Sequence, residues 1–241
     1  MSPLPPGPWL VFAPHADDET FGMGGSLLKA KLEGLETHVI VMTDGAQGGD
    51  TDDLVAVRKN EVTQATNLLG VRSLQCWTEP DRGLDLSQRL IEKITQAIIE
   101  LVPATVFFPG PLEIHPDHRA TGLLVWSALQ AARAAKIEPE AIAYEISVQN
   151  PVNLFIDITG QRAAKEEVMA IYASQNSEND YPGLVLALDK ARTFSLPSQV
   201  KCAEGFYRFQ PVDLERSLQE LTHRIIDLYQ GDDRRSIQTP V

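Results

Sequence analysis

Cysteine is scarce in this chain, and long apolar runs are missing. Cys76 and Cys202 are the two cysteines of 241 residues, and their spacing fits no metal or redox motif. We therefore expect free thiols and a reducing, cytoplasmic location. No stretch approaches the roughly 18 apolar residues of a membrane-spanning helix. Residues 1–8 are rich in proline and lack the basic and apolar segments of a secretory signal, so we expect no membrane partner.

Basic residues are also in short supply. The chain has 33 acidic and 21 basic side chains, which gives a formal charge of −12. This is the wrong sign for a nucleic-acid backbone or an anionic membrane, so a neutral or cationic small molecule is the expected partner. With 43% hydrophobic and 22% charged residues, the composition is typical of a packed globular protein. We expect one domain over residues 1–230 and a flexible tail at 231–241, and the composition is compatible with a homo-oligomer.

Buried-strand patterns alternate with amphipathic-helix patterns over the first part of the chain. Strands are predicted at residues 9–13, 37–42, 73–77 and 105–109, and helices at 20–32, 54–69, 87–101 and 119–135. Four successive strand–helix units predict a Rossmann-like α/β fold, with a mostly parallel sheet and helices on both faces. The remainder is less regular: short strands at 141–146 and 153–158, helices at 161–174 and 211–230, and a loop around 180–183. Residues 176–198 are predicted to form a specificity lid.

A polar cluster follows the first predicted strand directly. A histidine and three carboxylates, His15, Asp17, Asp18 and Glu19, fall within five residues. Carboxylates packed this closely are costly unless a cation offsets them. His15 and Asp18 can meet at one metal ion if the loop turns between them, which leaves Asp17 free beside it. The alternative is that the three acids only favour the N-terminus of the next helix.

A second cluster, His115, Asp117 and His118, opens the helix after the fourth predicted strand. Three of the five histidines lie in these two clusters. Strands one and four flank the crevice at the switch point of a doubly wound sheet, so the clusters are expected to face each other. Acids that serve only a helix N-terminus would leave these histidines unexplained.

Two imidazoles and a carboxylate suit zinc with one open position, and the same set suits non-haem iron(II). Asp17 is then placed to act as a general base on a water that attacks a carbonyl. His115 beside Asp117 can stabilise the oxyanion and protonate the leaving amine. The residues predict a metal-dependent hydrolytic site and leave the metal open between Zn²⁺ and Fe²⁺.

At these clusters the sequence resembles the PIG-L/LmbE-like family of zinc-dependent N-deacetylases. The family signatures A-H-P-D-D-E and H-P-D-H stand here as P-H-A-D-D-E at 14–19 and H-P-D-H at 115–118. Further family segments resemble residues 43–45, 58–61, 81, 157–159, 165, 174–175 and 203–206. The resemblance therefore extends over nearly the whole chain.

The resemblance implies a role for each site residue. His15, Asp18 and His118 would be the zinc ligands and Asp17 the general base. His115 would stabilise the oxyanion and act as the acid, with Asp117 hydrogen-bonded behind it. The resemblance further implies that Arg58 and Asp81 bind sugar hydroxyls, and Asp44 in the adjoining T-x-G loop is a third predicted substrate contact.

The implied reaction is hydrolysis of an N-acetyl group from a glucosamine-type sugar. Two departures from the family pattern affect details: Ala16 replaces the common proline, and Ala46 stands where many members carry glutamate. The family also contains amidases that cut bulkier amides, so the acyl group stays open. An iron(II) oxidative enzyme and a non-catalytic sugar-binding relative are two rival hypotheses, and the presence of both Asp17 and His115 argues against the second.

Overall fold

The computed structural model describes residues 2–49 and 53–230. Within these ranges a seven-stranded sheet is covered by helices on both faces. The strands are β1 (Trp9–Ala13), β2 (Thr37–Thr43), β3 (Ser73–Glu79), β4 (Thr105–Pro109), β5 (Glu140–Tyr144), β6 (Leu154–Asp157) and β7 (Ala203–Arg208). The helices are α1 (Asp18–Leu32), α2 (Leu54–Leu69), α3 (Gln88–Leu101), α4 (Pro116–Ala132), α5 (Arg162–Met169), α6 (Ala173–Asn176), α7 (Tyr181–Ala191) and α8 (Leu218–Gln230). Two short 3-10 helices cover Arg133–Ala135 and Pro211–Glu215.

The sheet separates two hydrophobic cores, which explains the continuous apolar run of β1. Successive side chains of a strand point to opposite faces, so Trp9 and Val11 enter one core while Leu10 and Phe12 enter the other. All five residues of β1 are fully buried. The first core is shared with α1, α2 and α5, and the second with α3 and α4. A strand buried on both faces needs apolar residues at every position.

The strand order is β3-β2-β1-β4-β5-β7-β6. The first five strands are parallel, and β7 lies antiparallel between β5 and β6. The predicted fold class, a single mostly parallel α/β domain, is confirmed. Because β1 and β4 are neighbours, the loops that follow them open at the same edge of the sheet, where the two polar clusters were expected to meet. None of the helices in the described ranges is long and apolar enough to cross a bilayer.

The later part of the chain departs from the predicted elements. The segment around residues 180–183 was predicted as a loop, but it begins α7, because the Asp180 side chain accepts the Gly183 N–H and caps the helix. Strand β7 was not predicted. The predicted helix 161–174 is two helices, and the predicted helix 211–230 starts as a 3-10 helix. The predicted flexible tail at 231–241 lies outside the described residues.

Helix α1 is interrupted at Met23, whose φ of −149° and ψ of 24° are not helical. An interruption leaves the N–H groups of the following turn without helical partners. The Glu204 carboxylate on β7 accepts the N–H groups of Gly25 and Ser26 at 2.8 and 2.7 Å. Lys165 Nζ in turn lies 2.8 Å from Glu204 and 2.7 Å from Asp189. A buried ion cluster therefore supports the helix that begins at the first polar cluster.

Candidate active site and metal centre

A cavity of about 290 Å³ opens at the carboxyl edge of the parallel strands. Its walls come from the loops after β1, β2, β3, β4 and β5 and from α1, α2, α4, α6 and α7. The polar residues that line it are His15, Asp17, Asp18, Gln47, Arg58, Asp81, Arg82, His115, His118, Ser147 and Gln175. The structure thus brings the two clusters, which are far apart in sequence, to one site.

Asp18 links the histidines of the two clusters. Its Oδ2 lies 3.1 Å from Nδ1 of His15 and 3.3 Å from Nε2 of His118. Three ligand atoms held at about 2.0–2.1 Å by a tetrahedral zinc ion lie about 3.3 Å apart, so both separations match that geometry. The two separations that involve Asp18 in the predicted set of His15, Asp18 and His118 are therefore those expected around a divalent ion.

The far nitrogen of each of these histidines faces a carboxylate. Nε2 of His15 lies 3.2 Å from Asp117 Oδ2 and 3.3 Å from Asp81 Oδ1, and Nδ1 of His118 lies 3.3 Å from Glu113 Oε2. A far N–H held in this way leaves the near nitrogen with a lone pair. The near nitrogens of both histidines then face the same Asp18 oxygen, and a cation bound between these groups would offset the carboxylate charge.

The charges of the site lead to the same conclusion. Burial lowers the pKa of His118, but Asp18 and Glu113 beside it raise the value to about 9. Burial likewise lowers the pKa of His15, and the carboxylates of Asp117, Asp18 and Asp81 raise it well above the usual value. Burial opposes ionisation of Asp18, yet the two imidazoles hold its pKa well below its usual range. The surroundings favour positive charge at the point where the donors meet.

Two further combinations of donors lie close together. One ligand atom from each of His15, His115 and His118 lies within 4.8 Å of the others, and the same holds for His15, Asp81, His115 and Asp117. Neither group contains Asp18. We favour the set with Asp18, because a single Asp18 oxygen contacts one nitrogen of each histidine and because Asp81 and Asp117 already face the far side of the His15 ring.

Asp17 occupies a strained position beside these donors. Its φ of 145° lies in a region that non-glycine residues rarely adopt, and such strain collects at functional sites. Its N–H donates to Glu19 Oε2 at 3.2 Å, and its carboxylate accepts from Arg58 at 3.3 Å. Burial raises the pKa of Asp17 to about 7 even though Arg58 lowers it. A carboxyl of this kind can accept and return a proton near neutral pH.

His115 is arranged as a hydrogen-bond donor. It is the N-cap of α4, and its Nδ1 accepts the Asp117 N–H at 3.2 Å, so its proton lies on Nε2. Burial, and after it the nearby His15 and His118, lower the pKa of His115 and favour this neutral form. The neutral ring can stabilise an oxyanion through Nε2–H. It has no proton to give away without forming an imidazolate.

Asp117 was expected to be hydrogen-bonded behind His115, and it contacts the His115 ring through its backbone N–H rather than through its carboxylate. That carboxylate faces His15 and accepts the N–H of Arg82 at 2.6 Å, so only the backbone of Asp117 bonds to the His115 ring. The carboxylate lies beside Nε2 of His15, where the Arg82 N–H in the loop after β3 donates a hydrogen bond to it.

The three predicted substrate contacts have different surroundings. Arg58 and Asp81 both line the cavity, but Arg58 is also bonded to Asp17 and Asp81 to His15. Asp44 is not among the cavity-lining residues of the described chain. Its Oδ1 accepts the N–H groups of Ala46 and Asp81, so it shapes the loop rather than facing the cavity.

Sequence reasoning assigned no role to Glu113 or Tyr172. Glu113 is buried, orients His118, and accepts the N–H groups of Ile146 and Ser147 at 2.9 and 3.0 Å. Tyr172 is buried, and its hydroxyl donates to Glu19. Glu113 could have been found from its place among the polar residues after the fourth strand. Tyr172 carried no such signal, because it lies 153 residues from Glu19.

Residues 10–129 match the family described as PIG-L, GlcNAc-PI de-N-acetylase. The chain belongs to the PIG-L family. The predicted family is therefore confirmed, and the matched segment contains both polar clusters and the strands that carry them.

Curated relatives and a solved structure are similar to this PIG-L chain. "Probable N-acetyl-alpha-D-glucosaminyl L-malate deacetylase 2" of Bacillus anthracis is 32% identical in an alignment of length 135 that covers 50% of this chain and 58% of that protein. Diacetylchitobiose deacetylase of Thermococcus kodakarensis is 27% identical in an alignment of length 188 that covers 70% of each chain. The structure of N,N'-diacetylchitobiose deacetylase from Pyrococcus horikoshii aligns with a TM-score of 0.74 at 24% identity and covers 85% of this chain and 84% of that one. This structural likeness supports the fold.

Proposed function

We propose that this protein is a metal-dependent amide hydrolase that removes the N-acetyl group from a GlcNAc-type sugar or glycoside. The observation that carries the proposal is the convergence of His15, Asp18 and His118, with Asp17 strained and buried beside them. The names of the relatives support the substrate class, since they act on N-acetylated glucosamine compounds. Zinc is the proposed metal, because three protein ligands with one open position are typical of catalytic zinc; iron(II) is the alternative.

A divalent ion bound by His15, Asp18 and His118 would polarise the amide carbonyl and activate a water molecule. Asp17 takes a proton from the attacking water. Nε2–H of His115 donates a hydrogen bond to the oxygen that becomes negative, which is the usual way an active site stabilises such charge. Asp17 then returns its proton to the leaving nitrogen, giving acetate and a free amine.

This assignment of the acid differs from the one that the resemblance implies. The bond from the Asp117 N–H to Nδ1 of His115 supports a neutral ring, which suits an oxyanion donor. Asp17 lies 3.3 Å from Arg58, whose positive charge stabilises its carboxylate between the two proton transfers. Asp17 therefore serves as base and acid in turn, and His115 as the oxyanion donor.

The test combines metal analysis with an amine-release assay on N-acetylglucosamine and a panel of its glycosides. We expect about one metal per chain and amine release that a chelator abolishes and added Zn²⁺ or Fe²⁺ restores, the more active ion identifying the metal. Metal-loaded protein that releases no amine from any panel member would contradict the proposed reaction. Protein that takes up no metal under any loading condition would contradict the mechanism.

A further inference from the structure

One wall of the cavity is apolar and comes mainly from α7. Tyr181, Leu184, Val185 and Leu188 all line the cavity, and they recur at the i, i+3, i+4 and i+7 spacing that places them on one face of a helix. Phe21 of α1 continues this wall; its ring stacks on that of Tyr181, with centroids 5.9 Å apart. We call these five residues the apolar wall.

Packing within the protein accounts for only part of the apolar wall. Val185 is 6% exposed and Phe21 5%, so both belong to the core. Leu184 lies on the same face and borders the cavity, yet it is 52% exposed. Part of its surface lines the cavity that holds the polar donors, and a ligand in that cavity would cover that part.

Polar contacts near the C-terminal end of α7 hold the apolar wall in place. Asp189 forms an ion pair of 2.7 Å with the buried Lys165. Just after the helix, Arg192 pairs with Glu145 and donates to the Asn150 carbonyl at 2.6 Å. These contacts fix the helix against the body of the protein, so the wall is formed before any ligand arrives.

We propose that the apolar wall is a subsite for an alkyl or aromatic group carried by the amino-sugar substrate. The inference rests on the proposed function and narrows its substrate class. Phe21 lies one helical turn after Asp17 and Asp18, so the wall begins next to the reacting centre. The apolar group can come from the acyl chain that is removed or from the aglycone, because both are attached close to the amide.

The test uses two ligand series of rising chain length. One contains N-acylglucosamines from acetyl to hexanoyl, and the other contains alkyl glycosides of N-acetylglucosamine from methyl to octyl. The kcat/KM of the metal-loaded wild type is measured on both, and binding without turnover is measured by calorimetry on Asp17→Asn. We expect affinity to rise about fourfold per methylene in one series. The series that responds identifies the source of the group.

Leu184→Ser should abolish this dependence on chain length, whereas Leu68→Ser should keep it. Leu68 is a matched control because it is 51% exposed, lies on α2 and does not line the cavity. Leu184→Trp should fill the subsite and weaken only the long-chain ligands.

A flat response in both series would overturn the inference, while amine release from the acetyl substrates would still support the proposed function. If no substrate releases amine, the proposed function fails, and binding to Asp17→Asn still decides whether the subsite exists. A change in oligomeric state in Leu184→Ser, with chain-length dependence unaltered, would assign the wall to a second copy of the chain and refute the subsite.

Discussion

The buried hydroxyl of Tyr172 is expected to control the position of Asp17. It donates to Glu19, whose second carboxylate oxygen accepts the Asp17 N–H at 3.2 Å. Tyr172→Phe removes only this hydroxyl from a fully buried site. Loss of a hydrogen bond to a charged group costs about 1.5–3 kcal/mol, and for a chain of this size each kcal/mol lowers Tm by about 2–4 °C. We therefore expect Tm to fall by roughly 3–12 °C.

The kcat of Tyr172→Phe should also fall, by more than partial unfolding of the variant can account for. Partners that orient the residues of a metal site typically affect activity by about 10–100-fold when they are removed. At a temperature where the variant is fully folded, we expect a loss of this size in kcat, with metal content and KM unchanged, because Asp17 is displaced while His15, Asp18 and His118 keep their contacts. Glu19→Gln retains a side-chain oxygen for the Asp17 N–H and should lose less kcat than Glu19→Ala.

Tyr144→Phe is the matched control. Tyr144 is also fully buried, and its hydroxyl donates to the Phe12 carbonyl at 2.9 Å, in β1 rather than in the network around Asp17. We expect this variant to lose some stability and to retain kcat. Wild-type kcat in Tyr172→Phe, or equal losses of kcat in the two variants, would refute the reasoning.

Three further predictions concern the metal and the ion cluster. Asp17→Ala should keep its metal and lose most turnover, whereas His118→Ala should lose the metal itself; stoichiometric metal in purified His118→Ala would refute the ligand assignment. Lys165→Met should cost about 3–5 kcal/mol in urea unfolding, because it leaves two buried carboxylates without their cation; a stability equal to the wild type would contradict this. Burial raises the pKa of Asp189 to about 6, even though Lys165 lowers it. The folded state therefore binds the extra proton, and stability should fall by up to about 3 kcal/mol as pH rises from about 4 to 6. In the same unfolding assay, the stability of Asp189→Asn should depend less on pH. A wild-type stability that increases from about pH 4 to 6 would contradict the predicted direction.

The sequence predicted the first four strand–helix units well, because their signals are local. The predicted bounds of α2 and β4 coincide with the observed ones, and Ser87, at which the third helix was predicted to begin, is the N-cap of α3. The neighbouring positions of β1 and β4 followed from the rules for parallel sheets, and they bring the two polar clusters together.

The missed elements depend on contacts that a local pattern does not contain. The segment Asp180-Tyr181-Pro182-Gly183 has the composition of a turn, but here Asp180 caps a helix and Pro182 lies in its first turn. Strand β7 carries Glu204 and Gly205 within its six residues, and its pairing with β5 and β6 determines its conformation. The interruption of α1 at Met23 could not be predicted either, since the carboxylate of Glu204 that supports the following turn comes from the far end of the chain.

Contacts between residues far apart in the sequence also determine where the carboxylates of the site point, and these contacts were not predictable. Residue types and spacing predicted that His15, Asp18 and His118 would meet. They could not show that the Asp117 carboxylate turns to His15, because that depends on the Arg82 N–H in the loop after β3. The role of Asp44 in its loop was hidden for the same reason.

The support of α1 by Glu204 has a consequence for the order of folding during synthesis. The contacts from Glu204 to Gly25 and Ser26 span 179 and 178 residues. Contacts of such long range form late and slow the folding of a domain. At about 5–20 residues per second, a ribosome needs roughly 9–36 s to pass from Gly25 to Glu204. Throughout this time the turn of α1 after Met23 lacks the Glu204 carboxylate, so we expect a nascent chain to complete the proposed metal site only after β7 has been made.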